Sequence, residues 1–343
     1  MNNTSAAEVD AARLLLDRLG VTVEDLTAAP AGVDVPTFDA YIARVSTAVT
    51  VGTVRVYGPY WNRVRDAWGQ RRLDEATALE VKQLAEHTRN TVVVRRNARG
   101  GHHAAEHMIA ALRCLYRHAV ADGLISVRAN PAIRVPKPRR RTNARRALLD
   151  SQLADINTIV CTTGNDPDLD SLLLRLHLET ACRRGGALAL RPCDLDHQQC
   201  LVRLREKGAT DRWQPVSPTL LRALRHHSNQ RGDTDQTGAL LRYRNGRPLT
   251  ARRYDHLWNR VGQHLPWVAA QQISTHWLRH TTLTWVERHF GYGVARAYAG
   301  HDDHTTHGST TTYIRADLYE ITTALAALTG EHHPLLAPAA TTR

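Results

Sequence analysis

The sequence has 343 residues, of which 42% are apolar and 23% charged, a balance typical of a soluble globular protein with about two domains. Its formal net charge of +12 is consistent with a polyanionic partner such as nucleic acid, and equally with a general surface charge. No apolar run approaches the roughly 20 residues that cross a bilayer, and Met1 to Gly20 lack a signal-peptide pattern, so we expect a cytoplasmic protein.

The five cysteines are odd in number and irregularly spaced, which argues against a disulfide framework and predicts reduced core thiols. A zinc site formed by Cys182, Cys193, His197 and Cys200 is conceivable. The paired close spacing of structural zinc sites is missing, however, so we expect no metal there.

The first 130 residues divide into an arm and a helical region. Residues 1–35 carry one short helical pattern and end in a stretch with Pro and Gly, which indicates an accessory arm. Apolar residues recur at helical spacing over 57–68 and again over 109–119, where Asp122 and Gly123 close the helix. Residues 36–130 are therefore predicted to form an all-helical domain.

A basic segment follows, in which prolines alternate with arginines and acidic residues are absent. Prolines and like charges favour an extended linker, which we assign to residues 131–146. An extended basic linker of this kind could follow the phosphate backbone of DNA, or its charges could simply be solvated. The arginines with which we expect it to contact phosphates are Arg139, Arg140, Arg141, Arg145 and Arg146.

The second domain is predicted over residues 147–330, with a tail at 331–343. Asp150 or Ser151 caps its first helix, and a leucine-rich helix over 172–178 is apolar on nearly all sides, hence buried. Between Cys200 and Val216 short alternating runs flank a turn, which indicates a β-hairpin. The predicted fold class is mainly α with a small antiparallel β-sheet.

Residues suited to phosphate chemistry run in order along this second domain. Arginine can donate two parallel hydrogen bonds to a phosphate, and His276 and Arg279 are three residues apart, hence on one helical face near its N-terminus. A tyrosine becomes a nucleophile only beside cations and a base, because its ordinary pKa is about 10. The candidate catalytic residues are Arg183, Lys207, His276, Arg279, His301 and Tyr313.

This series resembles the active site of the tyrosine recombinase (phage integrase) family, and the resemblance extends over about residues 36–328. It implies an N-terminal helical core-binding domain that grips DNA and a C-terminal integrase-type catalytic domain. In that scheme Arg183 and Arg279 clamp the scissile phosphate, and Tyr313 attacks it. Lys207 protonates the departing 5′ oxygen.

The resemblance also assigns roles to the two histidines. His276 assists proton removal, and His301 hydrogen-bonds the phosphate or the nucleophile. Ala299 stands where the family usually has leucine before Gly300-His301. The recurrence of His301, His304 and His307 at every third residue would also suit a metal, but we expect no metal here.

Three further points stay open at this stage. Arg184 is a rival of Arg183, and Tyr319 of Tyr313, although Tyr319 falls in an apolar helix where we expect it in the core. Many family members carry an acidic residue three positions after the arginine, where this chain has Gly186. The final helix could dock onto a neighbouring protomer or onto its own domain.

The function implied is site-specific recombination through a 3′-phosphotyrosine, with neither cofactor nor metal. The implied partners are double-stranded DNA recombination sites and further copies of the chain. Four protomers would exchange strands through a Holliday junction. The implied location is the cytoplasm, in association with the nucleoid. Competing interpretations are a type IB-like topoisomerase and a catalytically silent DNA-binding accessory protein of the same fold.

Overall fold

The computed structural model describes residues 6–19, 34–91, 101–138, 146–206, 210–232, 236–300 and 317–336. The chain divides into two compact units, Met1–Arg141 and Thr142–Arg343. Over the described residues the fold is mainly helical with one small antiparallel sheet, which confirms the predicted fold class. None of the described helices is long and apolar enough to span a membrane.

Helices make up the first unit. They are α1 (Ala6–Leu19), α2 (Phe38–Ala48), α3 (Val51–Trp68), α4 (Ala78–Thr91), α5 (His102–Ala121) and α6 (Pro131–Arg134), with 3-10 turns at Leu73–Glu75 and Val127–Ala129. Within residues 34–91 and 101–138, β-type pairing is limited to one bridge between Thr37 and Arg72.

Aromatic side chains hold this bundle together. Trp61 of α3 is buried and its indole Nε1 donates to the carbonyl of Ala111 in α5, 3.1 Å away. Tyr116 is also buried, and its hydroxyl donates to the carbonyl of Leu73 at 2.9 Å. Each ring removes a large apolar area from water while its polar atom keeps a partner, so the helices are fixed in register.

The segment after Asn130 departs from the extended linker expected from its prolines. Pro131 starts α6, and the side chain of Asn130 accepts the backbone N–H groups of Ala132 and Ile133, 3.0 and 3.3 Å away. Ala132 and Val135 are buried in the core of the first unit. The expectation is wrong for residues 131–134, because a proline in the first helical turn is compatible with a helix.

The second unit combines helices with a three-stranded sheet. Its elements are α7 (Asp150–Thr162), α8 (Pro167–Thr180), α9 (Arg184–Leu188), β1 (Leu195–Asp196), β2 (Leu201–Glu206), β3 (Thr210–Pro215), α10 (Pro218–Arg231), α11 (Ala251–His264), α12 (Pro266–Ala270), α13 (Thr275–Tyr298) and α14 (Leu318–Thr329). The strands pair antiparallel in the order β1-β2-β3, with Leu204 opposite Arg212. The predicted β-hairpin is present.

The apolar helix α8 lies in the core of this unit, as its leucines predicted. The final helix α14 packs on its own chain, since Ile321, Ala324 and Leu325 share a cluster with Val286 and Tyr298 of α13.

The cysteines differ in part from expectation. All five are free, and Cys114, Cys182 and Cys200 are buried as predicted, but Cys161 and Cys193 are exposed. In the described residues no group of three or more His, Cys, Asp or Glu side chains is arranged to hold a metal ion.

Candidate active site

The turn after α8 brings Arg183 from the core to the surface. Helix α8 ends at Thr180, and Ala181 adopts a left-handed conformation with φ of 49°. The hydroxyl of Thr180 accepts the backbone N–H of the buried Cys182 at 3.2 Å. Arg183 follows in extended conformation and caps the short helix α9. Its side chain is 38% exposed, so the guanidinium group can reach a ligand in solvent.

A buried histidine supports this turn from below. His177 Nδ1 lies 3.1 Å from the carbonyl oxygen of Cys182, and its Nε2 lies 3.0 Å from the hydroxyl of Tyr254. Burial lowers the pKa of His177 to about 4, so the ring is neutral near pH 7. Nδ1 therefore carries the proton and donates to Cys182, whereas Nε2 accepts from Tyr254.

Glu206, the last residue of β2, holds Arg183 with both carboxylate oxygens. Oε1 accepts the backbone N–H of Arg183 and Oε2 accepts Nη1 of its guanidinium group, each at 2.7 Å. The carboxylate side chain is fully buried. Sequence reasoning missed this residue, although Val202, Leu204 and Glu206 alternate on the inner face of β2. An acidic residue at an inward position of a strand was the available signal.

Arg279 of α13 forms hydrogen bonds both to the turn that precedes Arg183 and to the C-terminal end of α13. It is buried, its Nη1 donates to the carbonyl of Ala181, and its Nη2 donates to the carbonyl of Ala299 at 2.7 Å. Burial, and then the neighbouring charge of Arg183, lower the pKa of Arg279 to about 10. The group remains protonated near neutral pH.

A third arginine, which sequence reasoning did not single out, lies in the same cluster. Arg212 of β3 donates from Nη2 to the carbonyl of Thr180 at 3.4 Å, and its Nε lies 3.8 Å from Oε2 of Glu206. Burial lowers the pKa of Arg212, and the charge of Arg183 acts in the same direction. We name Arg183, Arg212, Arg279 and Glu206 the arginine cluster. Three guanidinium groups and one carboxylate give it a formal charge of +2, which suits an anion such as phosphate.

His276 lies in the first turn of α13, three residues before Arg279. Its side chain is exposed, whereas that of Arg279 is buried. The start of the helix is fixed because Trp258 Nε1 donates to the hydroxyl of Thr275 at 2.8 Å. His280, a conceivable metal partner of His276, lies with Nδ1 3.0 Å from the hydroxyl of Thr284.

The far end of α13 approaches the arginine cluster through a glycine. The helix kinks at Gly291, where φ is 85°, and it ends at Tyr298. Gly300 has φ of 63°, and a Cβ atom on it would lie 2.4 Å from Nε of Arg212. Both the conformation and the close approach therefore require glycine at position 300.

A comparison with protein-family models decides the family. The model described as "Phage integrase family" matches residues 146–318, about half of the chain and most of the second unit. The chain belongs to the phage integrase family. Its matched region contains the whole arginine cluster together with His276.

Curated relatives of this phage integrase family member are tyrosine recombinases. XerD of Mycobacterium leprae is 32% identical over 124 residues, which cover 35% of this chain and 39% of that protein. XerC of Pelobacter propionicus is 29% identical over 184 residues, which cover 51% of this chain and 57% of that protein. The chain thus spans between about two fifths and three fifths of the relatives' length.

Solved integrase structures share the fold. A lambda integrase dimer bound to a COC′ core site has a TM-score of 0.60 at 15% identity, covering 91% of this chain and 86% of that one. A Tn1549 transposon integrase in complex with a circular intermediate DNA has a TM-score of 0.61 at 16% identity, covering 82% and 95%. A lambda integrase tetramer bound to a Holliday junction has a TM-score of 0.59 at 15% identity, covering 89% and 90%. At these identities the likeness concerns the fold.

The two rival residues, and one further tyrosine of α13, occupy other environments in this integrase-family unit. Arg184 lies 3.7 Å from Asp255, and both side chains are exposed. Tyr298 is fully buried, and its hydroxyl donates to the carbonyl of Glu179. Tyr319 is 60% exposed, so the expectation that it packs in the core is wrong. The apolar stripe of α14 turns Ile321 inward instead and leaves Tyr319 beside it on the surface.

Several candidate residues lie outside the described residues. They are Lys207, His301, Tyr313, Arg139, Arg140, Arg141 and Arg145. Arg146 is described and exposed. The structure therefore brings Arg183 and Arg279 together, adds Arg212 and Glu206, and gives His276 a position in the first turn of the Arg279 helix.

Proposed function

We propose that this protein is a site-specific DNA recombinase that breaks and rejoins strands through a 3′-phosphotyrosine. The observation that carries the proposal is the arginine cluster, whose formal charge is +2 and whose Arg183 reaches solvent. A scissile phosphodiester is an anion, and its negative charge grows as a nucleophile adds to phosphorus. Preorganised guanidinium groups stabilise that transition state more than the ground state.

Arg183 and Arg279 clamp the non-bridging oxygens, and Tyr313 attacks phosphorus. The P–O5′ bond breaks, the enzyme keeps the 3′-phosphate on Tyr313, and Lys207 delivers a proton to the departing 5′ oxygen. The free 5′ hydroxyl of a partner strand then attacks the phosphotyrosine and releases Tyr313. The energy of the phosphodiester bond is retained in the phosphotyrosine on Tyr313, so the proposed reaction needs neither a cofactor nor a metal.

Two histidines, His276 and His301, complete the proposed set of catalytic residues. His276, in the first turn of the helix that carries Arg279, assists removal of the tyrosine proton. His301 hydrogen-bonds the phosphate or the nucleophile, a role that its sequence position after Gly300 suggests. A phosphate bound at the arginine cluster offsets the repulsion from Arg183, which is one cause of the lowered pKa of Arg279.

The proposed partners are double-stranded DNA recombination sites and further copies of this chain, as a tetramer in the synaptic complex. A lambda integrase tetramer bound to a Holliday junction, which shares the fold, supports this assembly by analogy. The basic residues of the 131–146 segment, Arg139, Arg140, Arg141, Arg145 and Arg146, would contact phosphates. DNA as substrate implies a cytoplasmic location at the nucleoid.

A nicked suicide substrate tests the proposal, because its cleaved strand diffuses away and leaves the covalent adduct trapped. We expect an adduct on Tyr313 that Tyr313→Phe abolishes and that the matched control Tyr319→Phe retains. An adduct on Tyr319 would overturn the assignment of the nucleophile. Relaxation of supercoiled DNA at any sequence would instead support a type IB-like topoisomerase.

A further inference from the structure

Position 186 carries no side chain, and another residue fills the space that one would occupy. Gly186 is buried in α9, three residues after Arg183, and its φ lies outside the left-handed region. A Cβ atom there would lie 3.2 Å from Cγ and 3.4 Å from Oε1 of Glu206. Any side chain at this position would therefore crowd the Glu206 side chain, and this crowding, not the backbone conformation, favours glycine.

The carboxylate of Glu206 occupies that space, and both of its oxygens accept hydrogen bonds from Arg183. One oxygen accepts the backbone N–H of Arg183, which fixes where the turn runs, and the other accepts Nη1, which fixes where the guanidinium group points. A bond to the backbone and a bond to the side chain of one residue together leave little rotational freedom. Glu206 comes from β2, 23 residues further along the chain.

We propose that Glu206 is the positioning residue for Arg183 and that it acts from the space left by Gly186. It replaces, from the neighbouring strand, an acidic side chain that would otherwise come from position 186 itself. This inference rests on the proposed function, in which Arg183 contacts the scissile phosphate. Glu206 touches neither DNA nor the reacting atoms, and it acts through the orientation of Arg183.

The geometry predicts that the two positions can exchange the carboxylate. In a glutamate at 186 only Cγ lies between Cβ and the carboxylate carbon, so the 3.4 Å from that Cβ to Oε1 of Glu206 is within reach of its carboxylate oxygens. Two carboxylates cannot share the space, however, since they would overlap and repel. Each single replacement should therefore be harmful, and the double replacement should recover.

Covalent adduct formation on a suicide substrate is the readout, with Glu206→Ala, Gly186→Glu and the double variant compared with the parent protein. We expect each single variant to form adduct on the order of 10²-fold more slowly, because a displaced catalytic group loses about that much. The double variant should regain at least about tenfold of this loss. DNA affinity should stay equal or rise in Glu206→Ala, since a negative charge is removed.

Two controls keep the outcome decisive. Glu206→Gln is nearly isosteric and keeps one acceptor oxygen, so it should fold and still be slow. Thermal unfolding should show that Gly186→Glu lowers Tm in the parent protein and much less in the Glu206→Ala background. A double variant as slow as the slower single variant, or a Tm loss independent of residue 206, would overturn the inference. If the parent protein forms no adduct, the proposed function fails, and the Tm comparison still decides whether position 186 and Glu206 share one space.

Discussion

Two arginine-carboxylate pairs in the second unit differ in exposure and in bonding geometry. Arg253 is 7% exposed, and its Nε and Nη2 donate to the two oxygens of Asp170 at 2.6 and 2.7 Å. Its Nη1 donates to Asn165 at 2.7 Å. Arg183 is 38% exposed, and Glu206 holds it by one guanidinium nitrogen and the backbone.

The comparison teaches how the ion pair of the proposed active site differs in geometry from a structural one. The guanidinium group of Arg253 is enclosed and bonded along both edges, so it serves to fasten α11 to α8. Glu206 orients Arg183 while part of the guanidinium group still faces solvent. Arg183 shares its single buried carboxylate with Arg212, which leaves positive charge in the arginine cluster for an incoming phosphate.

The largest expected effect is the loss of catalytic rate when Arg183 is replaced. Arg183→Gln should slow adduct formation by on the order of 10²- to 10³-fold, as for loss of one donor to a developing oxyanion. The matched control is Arg184→Gln, because Arg184 is an exposed neighbour that pairs with Asp255. Equal losses in the two variants would remove the distinction between them.

The largest expected loss of stability follows replacement of the buried Arg253. Arg253→Ala leaves the carboxylate of Asp170 buried with only Arg260, 2.7 Å away, as ion-pair partner. A buried charge that loses every partner costs about 3–5 kcal/mol of unfolding free energy, so with Arg260 still beside Asp170 we expect a loss of at most about 3 kcal/mol. Urea unfolding measures it, with Arg244→Ala as control because Arg244 is 63% exposed. An undiminished unfolding free energy in Arg253→Ala would show that the pair is not a structural fastener.

A smaller effect concerns pH. His177 and His227 are both buried, and burial lowers each pKa from its ordinary value of 6.5 to about 4. The unfolded chain binds their protons first as pH falls, so stability is complete above pH 6.5 and declines toward pH 4. Between pH 7 and pH 5 the loss should be about 2 kcal/mol for each histidine.

The comparison of two neighbouring histidines measures this pH effect. His227→Gln should remove the contribution of His227 to this loss, about 2 kcal/mol, whereas replacing the exposed His226 by Gln should leave the loss unchanged. Urea midpoints at the two pH values give the difference. A pH dependence identical in His227→Gln and the parent protein would contradict the assignment.

Local context was sufficient to predict the fold class and to select part of the candidate site. Arg183 directly follows a buried helix, and His276 and Arg279 share one helical turn, so short patterns identify them. Glu206 could not be assigned in this way, because it meets Arg183 only after the chain has returned through 23 residues to a neighbouring strand. Arg212 was missed for the same reason, since strand pairing brings it to the cluster.

Two wrong expectations share a physical cause. Proline predicts an extended chain at 131, but the cap from Asn130 makes Pro131 the first residue of a helix. An apolar helix predicts a core position for Tyr319, but its place at the edge of the apolar stripe leaves the side chain exposed. In both cases the residue type allowed two outcomes, and a neighbouring contact selected one.

The central claim is that Arg183 stabilises charge on the phosphate while Lys207 supplies a proton to the leaving oxygen. The most direct measurement compares Arg183→Ala and Lys207→Ala on a normal phosphodiester and on one with sulfur at the bridging 5′ position. A thiolate leaves without a proton, so Lys207→Ala should recover most of its rate on the sulfur substrate and Arg183→Ala should stay slow. Equal recovery of Arg183→Ala, or equal impairment of Lys207→Ala on both substrates, would contradict the claim.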